Sequence, residues 1–201
     1  MKSYTIVPVT GEIDWEKVPA LGVDTVLWEP ECGISMTAQL CYDPQNLYVH
    51  LRAVEENIRA EHIGELQQVC EDSCMEFFFA PGEGEDLRYF NLEINPNGCV
   101  HLGFRRNRQE STNLVLKKMT EQLGVRAGRT EDGWELFYHI PLSLMTLFYP
   151  GYAWEKGKCM RANFYKCGDL TVKPHFLSWN PVSSESPDFH RPVDFGQLYF
   201  G

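Results

Sequence analysis

The chain has 201 residues, 43% of them hydrophobic, which is enough to bury a substantial core in one large all-β domain or two small ones. Its 28 acidic and 18 basic residues leave a net charge of −10, which opposes attraction to phosphate backbones and anionic lipid and argues against nucleic acid or a membrane as partner. The opening MKSYTIVPVTGEIDW contains no apolar run of signal-peptide length, and no later segment approaches a membrane span, so a cytoplasmic location is expected as written, or an extracellular one if a leader was removed.

Taken in chain order, period-two alternation marks strands in NLYVHLRAVE, CMEFFFAP, RYFNLEINPNG, CVHLGFRR, GWELFYHIP, KCMRANFYKCGD and HFLSW, each bounded by Gly, Pro, Asn or Asp. Helical signals are sparse. IRAEHIGELQQVC, before the second of these strands, has room for a turn or two, and LSLMTLFY after Pro141 reads as a short helix with proline at its first position. PGEGEDLR reads as an exposed turn between two central strands. No linker, low-complexity tract or repeat divides the chain, so residues 1–201 are expected to form a single domain: an all-β antiparallel sandwich or jelly roll of two sheets with one or two short helices.

Seven cysteines (Cys32, Cys41, Cys70, Cys74, Cys99, Cys159 and Cys167) are an odd number, several inside apolar strand patterns, which suits a reducing compartment. The Cys70–Cys74 spacing has no matching second pair, and no structural zinc site is expected from it.

Successive strand residues point to opposite faces, so each strand divides into two rows. Phe90, Leu92 and Ile94 share one face, with Tyr89, Asn91, Glu93 and Asn95 on the other; Met160, Ala162 and Phe164 oppose Arg161, Asn163 and Tyr165. Glu76 lies between Cys74 and Phe78, and His101 and Arg105 oppose Val100, Leu102 and Phe104. If these strands are neighbours, one sheet face gathers carboxylates, amides, a guanidinium and phenols. A merely solvated face is richer in Lys, Thr and Ser, whereas these groups supply the fixed donors and acceptors that hold a polyol. Because sugars also present apolar C–H faces, Trp179, Phe189 and His190 join Glu76, Asn91, Glu93, Asn95, Arg105, Arg161 and Asn163 as candidate sugar contacts. Trp15, Trp28, Trp134 and Trp154 read as core or edge residues, Trp134 sharing a row with Leu136 and Ile140.

The ordered set IDW, YDPQNLYV, EDSCMEFFFAP, FNLEINPNG, GWELFYHIP, ANFYKCGD and HFLSWNPV…PDFHRPVDFGQLYF resembles carbohydrate-binding module family 9, especially its stand-alone members, from about Ile13 to the C-terminus. The resemblance implies a sandwich of two antiparallel sheets, related to DOMON domains, and non-catalytic glycan binding in carbohydrate breakdown, in association with glycoside hydrolases. In the xylanase-attached modules of the family, a sugar end is clamped between two tryptophans and bonded by a Glu, an Arg and Asn side chains. Glu76 and Asn95 match the binding glutamate and asparagine; Val69 and Phe189 occupy the tryptophan positions, and Glu93 that of the arginine.

Two alternatives follow from the residues. Glu76 and Glu93 could serve as a glycosidase pair, since opposed cross-strand side chains sit about 5 Å apart, close to the carboxyl separation of retaining enzymes. A DOMON-like haem or metal module could draw on Met160, His101, His175 or His190. No cofactor is expected, although calcium could be held at GEGED or near Glu71 and Asp72 without any motif of its own.

Overall fold

A computed structural model describes residues 1–64 and 66–201. Among these, the strands run in order β1 (Ser3–Pro8), β2 (Ala20–Val23), β3 (Thr25–Val26), β4 (Ser35–Tyr42), β5 (Asn46–Val54), β6 (Cys74–Ala80), β7 (Tyr89–Ile94), β8 (Val100–Arg105) and β9 (Ser111–Asn113). The short helix α1 (Met119–Gln122) precedes β10 (Arg126–Arg129) and β11 (Gly133–Pro141), and α2 (Leu142–Phe148) precedes β12 (Cys159–Cys167), β13 (Phe176–Ser178) and β14 (Gly196–Phe200).

One layer has the order β10-β11-β5-β4, with β2 on β4; the other has β14-β12-β6-β7-β8-β9, with β13 on β12. This is the all-β sandwich expected, with one departure from pure antiparallel pairing. The first four residues of β1 run parallel to β14, from Ser3 against Gln197 to Ile6 against Phe200, and its last two run parallel to β4, with Val7 against Cys41. A single strand thereby stitches both layers together.

The core between the layers collects the apolar rows. Met75, Phe77 and Phe79 of β6, Phe90, Leu92 and Ile94 of β7, and Met160, Ala162 and Phe164 of β12 pack in one cluster with Trp134, Leu136 and Ile140 of β11. Phe77 stacks on Phe164 across the β6–β12 ladder at 4.5 Å between centroids, an offset aromatic arrangement that adds to plain burial.

The second layer is buried on its other face as well. Every residue of β6 and β7 is buried, because the connection from Asn180 to Phe195 crosses that face; Val182 and Phe195 pack there against Phe78, Ala80, Tyr89 and Tyr165. An alternating strand thus carries a second, smaller apolar cluster mixed with its polar row.

Of the helical expectations, α2 begins immediately after Pro141, which stands extended at the cap position, one place before the first helical turn. The segment from Ile58 to Cys70 differs from expectation: its described residues hold only the beginning of a 3-10 turn at Val69–Glu71. The reason is visible in the backbone donors. The amides of Glu61 and His62 donate to the Asp72 carboxylate and that of Arg59 to Ser73 Oγ, partners outside any local helix. Glu65 of that segment lies outside the described residues.

Candidate functional site

The roofed face of the second layer carries the candidate site. Register across β12, β6, β7 and β8 aligns Tyr165, Glu76, Glu93 and His101 in one transverse row and Asn163, Phe78, Asn91 and Gly103 in the next. Glu76 and Glu93 are therefore directly opposed. A hollow of about 150 Å³ opens over them, bordered by Trp28, Phe176, Phe189 and His190 and by the acidic groups Asp169 and Asp188.

Both glutamates are deeply set, Glu76 at 2% and Glu93 at 9% exposure. Glu93 is held by a relay: Arg105 Nε donates to Asn91 Oδ1 at 2.7 Å, and Asn91 Nδ2 donates to Glu93 Oε1 at 2.7 Å. Gly103 leaves room for that relay, since a Cβ there would collide with the Asn91 amide oxygen. Among the described residues, Glu76 receives only the Cys167 thiol, at 3.0 Å. Burial, then the facing negative charge of Glu93, holds its carboxyl well above the usual range.

The aromatic side of the hollow comes from two connections. Phe189 stacks on Tyr165 at 4.1 Å and 11°, and Tyr165 donates its hydroxyl to the Phe189 carbonyl at 3.2 Å. Trp28 lies 5.4 Å from Phe189 and edge-on to Phe176, anchored by an Nε1 donation to Ser184 O at 2.9 Å. Trp28 also adopts φ 56, a left-handed conformation that costs a bulky residue energy and is retained only where its surroundings enforce it. His190 stacks on Phe78 and hydrogen-bonds the Tyr89 hydroxyl at 3.0 Å; burial first, then the nearby Arg105 and Arg108, lowers its pKa to about 3 and keeps the imidazole neutral.

Of the ten residues predicted as sugar contacts, Glu76, Glu93, Phe189 and His190 line the hollow directly, while Asn91 and Arg105 stand behind Glu93 and orient it. The other four lie elsewhere and are occupied. Asn95 spends its amide on Asp72 and the His62 carbonyl and its oxygen on the amides of Asn97 and Cys99, closing the turn after β7. Asn163 pairs with the backbone of Asn180 through both amide groups, and Arg161 donates to the Asp86 and Gly84 carbonyls at the far end of the sheet. Trp179 is 3% exposed in the main core, edge-on to Phe164. Sequence reasoning missed Trp28, Asp169, Asp188 and Arg108. Trp28 offered no strand periodicity to place it, and the other three sit on connections.

As to metals, the sulfurs of Cys74 and Cys167 and a Glu76 oxygen lie within 4.8 Å of one another, the one such cluster among the described residues. Of the positions considered for calcium, Asp72 accepts from the Glu61 and His62 amides and Glu71 pairs with His62, while in GEGED Asp86 pairs with Arg88. Met160 faces the main core, His175 bonds Lys166 and His101 is not among the residues bordering the hollow, so of these four His190 alone reaches it.

A two-layer β-sandwich whose outer face holds a carboxylate row under aromatic rings is a small-molecule-binding module in its construction. The family model described as "Carbohydrate-binding family 9" matches residues 8–200, and the chain belongs to that family; its function is non-catalytic carbohydrate binding. Among solved structures, a candidate carbohydrate-binding protein of Bacteroides uniformis is similar at 28% identity and TM-score 0.84, covering 100% of this chain and 99% of that one. Two structures of a family 9 module from Caldicellulosiruptor kristjanssonii share the fold at 12% identity. The glucose complex has TM-score 0.68, covering 100% of this chain and 96% of that one, and the cellotriose complex 0.69, covering 99% and 93%. No curated protein matches the sequence.

Proposed function

We propose that the hollow over Glu76 and Glu93 holds one pyranose ring of a mono- or oligosaccharide, with the rest of a longer glycan leaving through the opening. The observation that carries this reading is the meeting of the Phe189 and Trp28 rings with a buried carboxylate pair, apolar surface for C–H faces beside fixed acceptors for hydroxyls. The volume of about 150 Å³ is below that of ordinary drug-sized pockets and suits a single ring. The glucose and cellotriose complexes of the Caldicellulosiruptor kristjanssonii module support β-glucosyl ligands as the first to try. On the same reading the chain supplies binding to carbohydrate breakdown while associated glycoside hydrolases supply the chemistry.

Calorimetric titration with glucose and cellotriose tests the proposal. Saturable binding that Phe189→Ala and Glu93→Gln each weaken about tenfold or more is expected by the size of a lost ring contact or charged hydrogen bond; absence of binding across a glycan panel refutes it.

A second reading, a retaining glycosidase, has one observation in its favour, the direct opposition of Glu76 and Glu93 with the Glu76 carboxyl held above its normal range. Hydrolysis of chromogenic glycosides abolished by Glu76→Gln and by Glu93→Gln would establish it; no turnover is expected.

A further inference from the structure

Glu76 is a buried carboxylate with no counter-charge. It forms no ion pair among the described residues, while the nearest buried cation of β12, Lys166, is committed to Glu55 on the opposite face of the strand at 3.1 Å. Isolating a carboxylate from water in this way is costly unless a proton or a cation compensates it. Two thiols flank it. Cys74 lies two residues earlier on the same face of β6, and Cys167 is the ladder partner of Cys74 on β12. All three are buried, and their ligand atoms fall within 4.8 Å of one another.

We propose that Cys74 Sγ, Cys167 Sγ and one oxygen of Glu76 bind a zinc-class divalent cation at the floor of the hollow. The β-ladder fixes the three side chains on one face, so the donors are organised without any loop having to order. With bonds of about 2.3 Å to sulfur and 2.0–2.2 Å to oxygen, a tetrahedral ion separates its ligands by roughly 3.5–3.8 Å, inside the span observed. Two thiolates among the donors select a borderline-soft ion over calcium, which takes six to eight oxygens. Binding releases the two thiol protons, and Glu76's if it carries one, to solvent, and the doubly charged ion compensates the carboxylate. Glu76 and Cys167 border the hollow together with Cys70 and Glu93, so a fourth ligand would be drawn from that side.

Cobalt(II) is the spectroscopic probe. Chelator-treated, fully reduced protein titrated with Co²⁺ should bind one equivalent with a near-ultraviolet thiolate-to-cobalt charge-transfer band and tetrahedral visible bands, both bleached by Zn²⁺. Cys74→Ser and Cys167→Ser should each diminish the near-ultraviolet band and weaken binding at least tenfold, whereas Cys159→Ser, at an exposed position on β12, should change neither. X-ray absorption at the zinc edge of the loaded wild-type protein needs no variant and should report two sulfur neighbours at about 2.3 Å. A missing charge-transfer band, a band undiminished in both variants, or a shell of nitrogen and oxygen alone overturns the proposal. These readouts do not involve sugar, so they stand or fall apart from the glycan reading.

Discussion

His190 illustrates how one side chain can serve the site and the fold together. Its ring lies on Phe78, its Nδ1 meets the Tyr89 hydroxyl, and the charged or titratable groups facing it are Arg105 and Arg108, His101 and Tyr89. With a folded pKa of about 3 against about 6.5 unfolded, it stays neutral in the native state. Between those values the unfolded chain binds a proton that the folded chain does not, so stability falls as pH drops below about 6.5 and keeps falling toward 3. His190→Gln, which retains a polar tip without the titration, should flatten that acid limb; urea unfolding of both proteins at pH 7.5 and 5 checks it, and an unchanged difference between the two pH values would contradict it. Phe189 makes the complementary case. By analogy with bases stacked on aromatic rings, Phe189→Ala should cost about 1–3 kcal/mol of sugar affinity. Because the ring also rests on Tyr165, a thermal melt must accompany the titration to separate lost stacking from a loosened connection.

At the scale of elements, β5 and β12 are joined by more than apolar packing. Glu55, just past β5, accepts hydrogen bonds from Ser73 Oγ at 2.6 Å and Trp134 Nε1 at 2.9 Å and pairs with Lys166 of β12, which in turn donates to His175 Nε2 at 2.7 Å. Burial alone would raise the Glu55 carboxyl, but Lys166 and these donors outweigh it and hold the pKa below its usual value. Glu55→Gln should destabilise the fold by about 3–5 kcal/mol, because it strands a fully buried ammonium, and Glu55→Gln with Lys166→Met should recover much of that loss. Chemical denaturation of the single and double variants is the measurement; an additive double variant would contradict a pairwise origin. This network could not be read in advance, since Glu55 and Lys166 are far apart in sequence and Lys166 falls on the apolar row of β12. The strand rows themselves were legible: period two placed Phe90, Leu92 and Ile94 inward and Asn91 and Glu93 outward, and register then brought Glu76 opposite Glu93. What periodicity cannot show is what lies over a face. Asn95 and Asn163 have the right parity for the site, yet a turn and the Asn180 backbone claim them, and Trp28 reaches the hollow from a connection with no periodic signal.

For the molecule as a whole, the decisive feature is that the roof of the proposed binding face is also the last leg of the chain. The Asn180–Phe195 connection is tied down by Asp194, which takes Ser183 and Arg191 at 2.9 Å each, and by the Trp28 indole on Ser184, while its Phe195 is buried against Tyr89. It then passes into β14, which pairs with β1, the strand that spans both layers. A ligand seated under this roof therefore holds the N-terminal and C-terminal portions of the chain against the central sheet. Binding to the folded state alone raises stability with the logarithm of ligand concentration, by about 2.7 kcal/mol at a hundred times the dissociation constant. Protection should be uneven: hydrogen exchange in saturating cellotriose should slow most for residues 181–195 and around Trp28, and least for β10 and β11 in the opposite layer. Uniform slowing throughout would mean that the sugar reports only global stability, and slowing centred on β10 and β11 would move the binding face to the other sheet.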